Sequence, residues 1–319
     1  FTSDRDGGDN LWTIATDGSD PQQVSDESFR LLNGPAWTPD GEYLLGRKHF
    51  TSTRSLGAGE VWMYHRSGGD GLQLTERRND QQDQGNEIAV HPDGRYVFYS
   101  EDVTRGPNFR YNKDPNEGIY AIKRLDRETG EIETLISGPG GAARPVPSPD
   151  GEKLAFVRRV RAKTVLYTYD LDTGIASPVF DELSFDQQDV WAIFGTYPNF
   201  SWMPDNEHVV LWAEGKIRKI STADGSSEVI PFEAEVEQTI TEAAEFPVDP
   251  HPETIKARMI TGATTSPDGR TVVFHANGSL YTKRLPDGTP RRLTGDEHFE
   301  YNPAISPDGR TVVYTTWDD

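Results

Sequence analysis

The chain has 319 residues, of which 34% are apolar and 10% aromatic, with 30 Gly, 22 Pro and a formal charge of −20. So many rings exclude a disordered chain, so many helix breakers exclude a helical bundle, and no apolar run approaches the roughly eighteen residues of a membrane-spanning helix. The charge excludes non-specific nucleic-acid binding, which needs a basic footprint, and the absence of cysteine excludes disulfides and thiolate chemistry.

Taken in chain order, Phe1-Thr2-Ser3 reads as the tail of a strand, and "DRDGGDN" (Asp4–Asn10) as a solvated loop. Its carboxylates faintly suggest calcium, but the further ligands and terminal Glu of an EF-hand loop are missing. "NLWTIATDGSDPQQVS" then alternates apolar with polar residues, turns at a Gly and runs out along a second short strand, a pair named c and d. Next comes a hairpin, strand a into strand b, around Pro39-Asp40-Gly41. Pro presets the first turn position, Asp bonds back to backbone, and Gly accepts positive φ. The same turn recurs at Pro92, Pro149, Pro204, Pro267 and Pro307, at intervals of 40 to 63 residues, with a c–d pair between consecutive copies. Periods of that size mark propellers and repeat arrays. Six four-stranded repeats predict an all-β, six-bladed β-propeller of antiparallel blades, a single domain over 1–319. The chain opens on c–d and closes on a–b, so the predicted ring is closed by pairing residues 12–24 with 302–316, leaving no open edge.

The Ser-Pro-Asp-Gly hairpin followed by an aromatic-rich c–d pair resembles the TolB-like, WD-repeat-like propellers of bacteria over nearly the whole chain. "RKHFTSTRSLGAGEVWMYHRSGG", "YNKDPNEGIYAIKRLDRETG", "SGPGGAARPVPSPDG" and "AFVRRVRAK" are similar, more closely, to the propeller region of bacterial amidohydrolase-family proteins. There a downstream barrel with a His-x-His pair performs the hydrolysis. The resemblance implies a propeller without its own active site and a C-terminal catalytic domain or a second subunit as partner. It further implies a divalent metal such as zinc in that domain only, and a periplasmic or secreted setting.

The residues agree that chemistry is lacking here. The seven histidines form neither His-x-His nor His-Glu-x-x-His, and no Gly-x-Ser-x-Gly elbow or phosphate loop is present. We therefore expect no catalytic residue, no metal site and no cofactor in this chain.

The a–b and c–d turns are short and share one face, so the insertions fall on the other: 46–59, 101–118, 158–163, 181–197 and the segment after Phe232. Loops carried by a rigid scaffold commonly hold function. The first three contain ten cations against four anions, a local reversal of sign in an acidic chain. From them come the candidate ligand- or partner-binding residues Arg47, Lys48, His49, Arg54, Arg110, Lys113, Arg158, Arg159 and Arg161. Trp191, with Phe194 and Tyr197, is the candidate apolar anchor, or equally a plug between blades. Residues 232–260 alternate apolar with acidic, then apolar with basic positions, which predicts a two-stranded arm with cross-strand Glu–Lys and Glu–Arg pairs. The expected function is a non-catalytic propeller gating substrate access to, or docking, an amidohydrolase domain acting on C–N bonds. The alternatives are a stand-alone TolB-like interaction scaffold of the bacterial envelope and, with less support, a glycan-processing propeller.

Overall fold

A computed structural model describes residues 1–28, 31–50, 58–79, 85–104, 118–185, 197–241, 248–295 and 297–318. Among these residues every regular element is a strand, so no helix is long and apolar enough to cross a membrane. The chain divides into two compact units, Phe1–Glu235 and Val236–Asp319.

The first unit opens with a three-stranded sheet of β1 (Thr2–Ser3), β2 (Asn10–Thr13) and β3 (Gln22–Gln23). Four-stranded antiparallel sheets follow in order. The first holds β4 (Leu31–Trp37), β5 (Tyr43–His49), β6 (Gly59–His65) and β7 (Leu72–Gln73). The next holds β8 (Asn86–Val90), β9 (Tyr96–Asp102), β10 (Tyr120–Asp126) and β11 (Ile132–Ile136). Then come β12 (Ala143–Pro147), β13 (Lys153–Val160), β14 (Lys163–Asp170) and β15 (Ala176–Phe180). The unit ends with β16 (Phe200–Trp202), β17 (His208–Ala213), β18 (Lys216–Ser221) and β19 (Ser227–Ile230). The second unit has one such sheet, β20 (Thr261–Thr265), β21 (Thr271–Ala276), β22 (Ser279–Arg284) and β23 (Arg291–Arg292), and the pair β24 (Phe299–Ile305) and β25 (Val312–Trp317).

The repeated turn has one chemistry. Thr38, Ser148, Ser266 and Ser306 each donate a hydroxyl hydrogen bond to the aspartate two residues on, at 2.5–2.6 Å. The same oxygen accepts the N–H five residues on, closing the hairpin. In the divergent copies a histidine faces the aspartate, with His91 Nδ1 2.8 Å from Asp93 Oδ1 and His208 Nδ1 2.8 Å from Asp205 Oδ2. The turns also meet across sheets: His91 Nε2 lies 2.9 Å from the Gly151 carbonyl, and the Asp150 N–H donates to Asn206 Oδ1 at 2.9 Å.

These bonds hold Asp268 and Asp308 below the ordinary carboxylate value of 3.8, the serine hydroxyl being the larger cause. A depressed folded value means stability that is complete above pH 3.8 and lost as pH falls through the lowered value. Ser266→Ala is therefore expected to lower stability at pH 7, by a gap that narrows below pH 3.8; urea unfolding at the two pH values measures it.

Strand side chains point alternately to opposite faces. In β5, β9 and β13 both faces are covered by neighbouring sheets, so each carries a short unbroken apolar run, Tyr43–Leu45, Tyr96–Tyr99 and Leu154–Val157. Leu44 packs with Leu11, Val24 and Tyr64, while Leu45 packs with Val61, Ile88 and Val97. Phe98 packs with Leu154 and Phe156, whereas Ala155 and Val157 join Val209 and Leu211. The first strands meet in sequence, β4 beside β8, β8 beside β12, β12 beside β16.

The ring closure expected from the sequence is not seen as a sheet among the described residues. Residues 12–24 and 302–316 lie in separate sheets: β2 is bordered by β1, with Thr2 opposite Leu11, and β24 pairs with β25. The short tail that opens the chain is itself the neighbouring strand. Nor do the described residues of 232–260 form an arm: they contain no strand, and Phe232, Val236, Ile240, Ile255 and Met259 are exposed. Period-two patterning without a face to cover does not order a strand pair.

Candidate functional site

The cationic face expected from the sequence comes apart when its residues are placed. Arg54, Arg110, Lys113 and Trp191 lie outside the described residues. Arg47 and His49 are in strand β5 rather than a loop, each only 1% exposed, with Arg47 opposite Asn33 and Val61. Lys48 pairs with Glu27 at 2.5 Å and sits 4.2 Å above the Trp62 ring. Glu27 also accepts the Tyr64 hydroxyl at 3.1 Å, and burial pushes that phenol far above its ordinary range. Each of these three side chains is built into the interior.

Residues 158–163 are no insertion. β13 and β14 run through them with Val160 opposite Lys163, leaving a turn of Arg161 and Ala162 with Arg161 at φ 58°. Arg158 lies near the Phe156 and Tyr167 rings at 5.3 and 5.5 Å and donates to the carbonyls of Gly141 (2.9 Å) and Ser137 (3.1 Å). Burial lowers its pKa, yet it remains charged, and its role is to staple the 137–142 turn onto the sheet. Arg158→Ala is expected to cost about 2 kcal/mol, since two bonds from a charged donor and ring packing are lost; thermal unfolding checks it. Arg159 ties the same turn from the backbone, its N–H donating to the Gly140 carbonyl at 3.1 Å. Tyr197 behaves as a plug: it is 5% exposed, packs edge-on to Phe185 and Trp212, and donates to the Trp212 carbonyl at 2.9 Å.

A different site emerges where the first strands meet. β4, β8 and β12 each carry a bulge, after Asn33, Asn86 and Ala143. Gly34, Glu87 and Arg144 there have φ of 63°, 57° and 59°. These residues and the start of β16 line a half-open cavity of about 740 Å³ within the first unit. Its wall is apolar along Ile88, Val90, Val146 and Phe200, with the amides of Asn33, Asn86 and Asn199 among them. Glu87 and Arg144 are its charged lining residues.

The bulge explains how they are held. It takes the Arg144 N–H out of the ladder, and Glu87 Oε2 accepts it at 2.6 Å. The Ser100 hydroxyl, 2.9 Å from the same N–H, also donates to Glu87 Oε2. The Arg144 guanidinium reaches the next sheet, donating from Nη1 to Asn199 Oδ1 at 3.0 Å, while Nη2 stands 3.8 Å from Glu87 Oε1. One hydrogen-bonded chain thus links three successive sheets. Left-handed backbone at a residue with a Cβ costs roughly 1–2 kcal/mol, and such strain collects at functional sites.

Sequence reasoning passed over this pair, although a signal existed. The second residues of "NGPAW", "NEIAV", "ARPVP", "PNFSW", "TGATT" and "YNPAI" are Gly34, Glu87, Arg144, Asn199, Gly262 and Asn302. Four are Gly or Asn, the types that tolerate positive φ. Glu87 and Arg144 break the column.

No family model matches the chain. An uncharacterized peptidase, YuxL, of Bacillus subtilis (strain 168) is 27% identical over 158 residues, 49% of this chain and 19% of that protein. The match thus spans less than a fifth of the curated relative's length. TolB from Acinetobacter baumannii aligns with 97% of this chain and 60% of its own, at a TM-score of 0.51 and 16% identity. A puromycin hydrolase mutant aligns with 96% of this chain and 46% of its own, at a TM-score of 0.50 and 15% identity. At these identities the likeness is one of fold: the structural neighbours of this all-β chain are TolB-like β-propeller proteins.

Proposed function

We propose that this chain is the non-catalytic propeller of a hydrolytic enzyme, gating substrate access to its catalytic domain or docking it. The observation that carries the reading is the chain-long alignment with less than half of the puromycin hydrolase. The partial match to a protein named a peptidase supports it. The first is named a hydrolase and the second a peptidase, and a peptidase cleaves a C–N bond. Within that class, the loop runs quoted above favour a metal-dependent amidohydrolase as the partner domain, with its divalent metal held there. A second reading, a TolB-like interaction scaffold of the bacterial envelope, in a periplasmic or secreted setting, is favoured by the alignment with TolB.

Extending the coding sequence past Asp319 separates the two. A continuing frame with a hydrolase domain is the expected result, and a His-x-His barrel would specify the amidohydrolase. A stop codon there, with no hydrolase co-purifying with the chain, supports the scaffold. The chain by itself is expected to turn over no amide, ester or glycoside; turnover abolished by changing one of its carboxylates would overturn the non-catalytic assignment.

A further inference from the structure

We propose that the cavity between β4, β8, β12 and β16 binds a ligand carrying one carboxylate on an apolar body, and that the Arg144 guanidinium receives the carboxylate. The site belongs to this chain's own residues, whichever module the propeller serves.

The backbone requirement alone does not account for an arginine at this position. The bulge needs a residue at positive φ whose N–H reaches Glu87, and glycine meets both conditions, as Gly34 shows for the φ. The guanidinium is not needed to join β16 to β12 either, because Trp202 Nε1 already donates to the Val146 carbonyl across that junction at 2.9 Å. Arg144 stands in strained backbone at a lining position from which its side chain reaches two neighbouring sheets, 3.0 Å from Asn199 Oδ1 on one side and 3.8 Å from Glu87 Oε1 on the other.

The surroundings select the ligand. Glu87 is 2% exposed in its side chain, and its Oε2 already receives Ser100 and the Arg144 N–H. A cationic ligand therefore gains little from it. Arginine is a planar fork suited to carboxylates, and it lies in a cavity whose lining includes the apolar Ile88, Val90, Val146 and Phe200 beside the amides of Asn33, Asn86 and Asn199. The volume, about 740 Å³, falls in the range of small-ligand sites, apolar with a few placed polar groups. The carboxyl end of a short apolar peptide and a free aliphatic acid share this chemistry.

The test is calorimetric titration of the 319-residue chain with N-acetyl-Leu-Phe as the free acid and as the amide, and with octanoate. The free acid is expected to bind at least tenfold more tightly than the amide. Arg144→Gly should erase that preference, with glycine relieving the strained backbone and preserving the N–H that reaches Glu87; Arg144→Lys should retain part of it. Octanoate binding as tightly as the peptide acid would assign the site to free aliphatic acids, and weaker binding to peptide ends. Equal affinity of acid and amide for the unaltered chain, no binding of any probe, or a preference that survives Arg144→Gly would each overturn the proposal. Should Arg144→Gly fail to fold, the acid–amide comparison on the unaltered chain and on Arg144→Lys decides the matter.

Discussion

Replacing Phe156 by alanine is expected to destabilise the first unit by about 3–5 kcal/mol, the range for emptying a fully buried aromatic site. Phe156 has no exposed surface. It lies in β13 but packs with Phe98, Ile122 and Ile136 of the preceding sheet, so it joins two sheets rather than filling one. Its ring lies 5.5 Å from Tyr167 and 5.3 Å from the Arg158 guanidinium. Truncation therefore opens a cavity at an intersheet seam and loosens the staple on the 137–142 turn. Phe156→Leu, which keeps most of the volume, is expected to lose well under half as much. Denaturant unfolding followed by tryptophan fluorescence reads both. A loss under 1 kcal/mol for the alanine variant would mean that the seam is not packed as described.

Gly140→Ala is the second large effect, expected to cost about 3 kcal/mol or more. Gly140 has φ of 81°, a conformation that costs a residue with a Cβ. The space is also taken, since a Cβ there would run into the Arg159 carbonyl oxygen, which is backbone and fixed by the β13–β14 ladder. Relief requires moving the whole 137–142 turn, and that breaks the Arg159 N–H bond to Gly140 and the Arg158 bonds to Gly141 and Ser137. Gly130→Ala is the control: its φ of 77° is similar, but nothing stands near its Cβ. Only the backbone term of roughly 1–2 kcal/mol remains there. Equal losses in the two variants would show that the clash, and with it the close seating of this turn, is absent.

The two substitutions and the Arg144 site together separate what the chain wrote locally from what it wrote across sheets. The repeated turn was legible because its whole chemistry fits within six residues: hydroxyl, proline, aspartate, glycine, and the N–H that closes the hairpin. Where the hydroxyl is missing, His91 and His208 stand against the aspartate, and the divergent copies have the hairpin too. The four-stranded antiparallel sheets followed from the alternation between turns, and the TolB-like propeller fold from their recurrence.

The cationic candidates misled because sequence shows charge but not which face of a strand is covered. Arg47 and His49 continue a strand enclosed on both faces, and Lys48 is matched by a glutamate twenty-one residues away. Arg158 looked like a surface charge until two carbonyls of a neighbouring turn were seen to hold it.

The sequence by itself determined the hairpins, their order and the fold class, because turn geometry and strand periodicity are set by residues near one another in the chain. Only the tertiary structure decided which polar side chains are buried, that β1 borders β2, and that Glu87 meets Arg144. Those outcomes depend on contacts between strands whose partners the local sequence does not name: Lys48 meets Glu27 twenty-one residues away, and Arg144 meets Glu87 fifty-seven away.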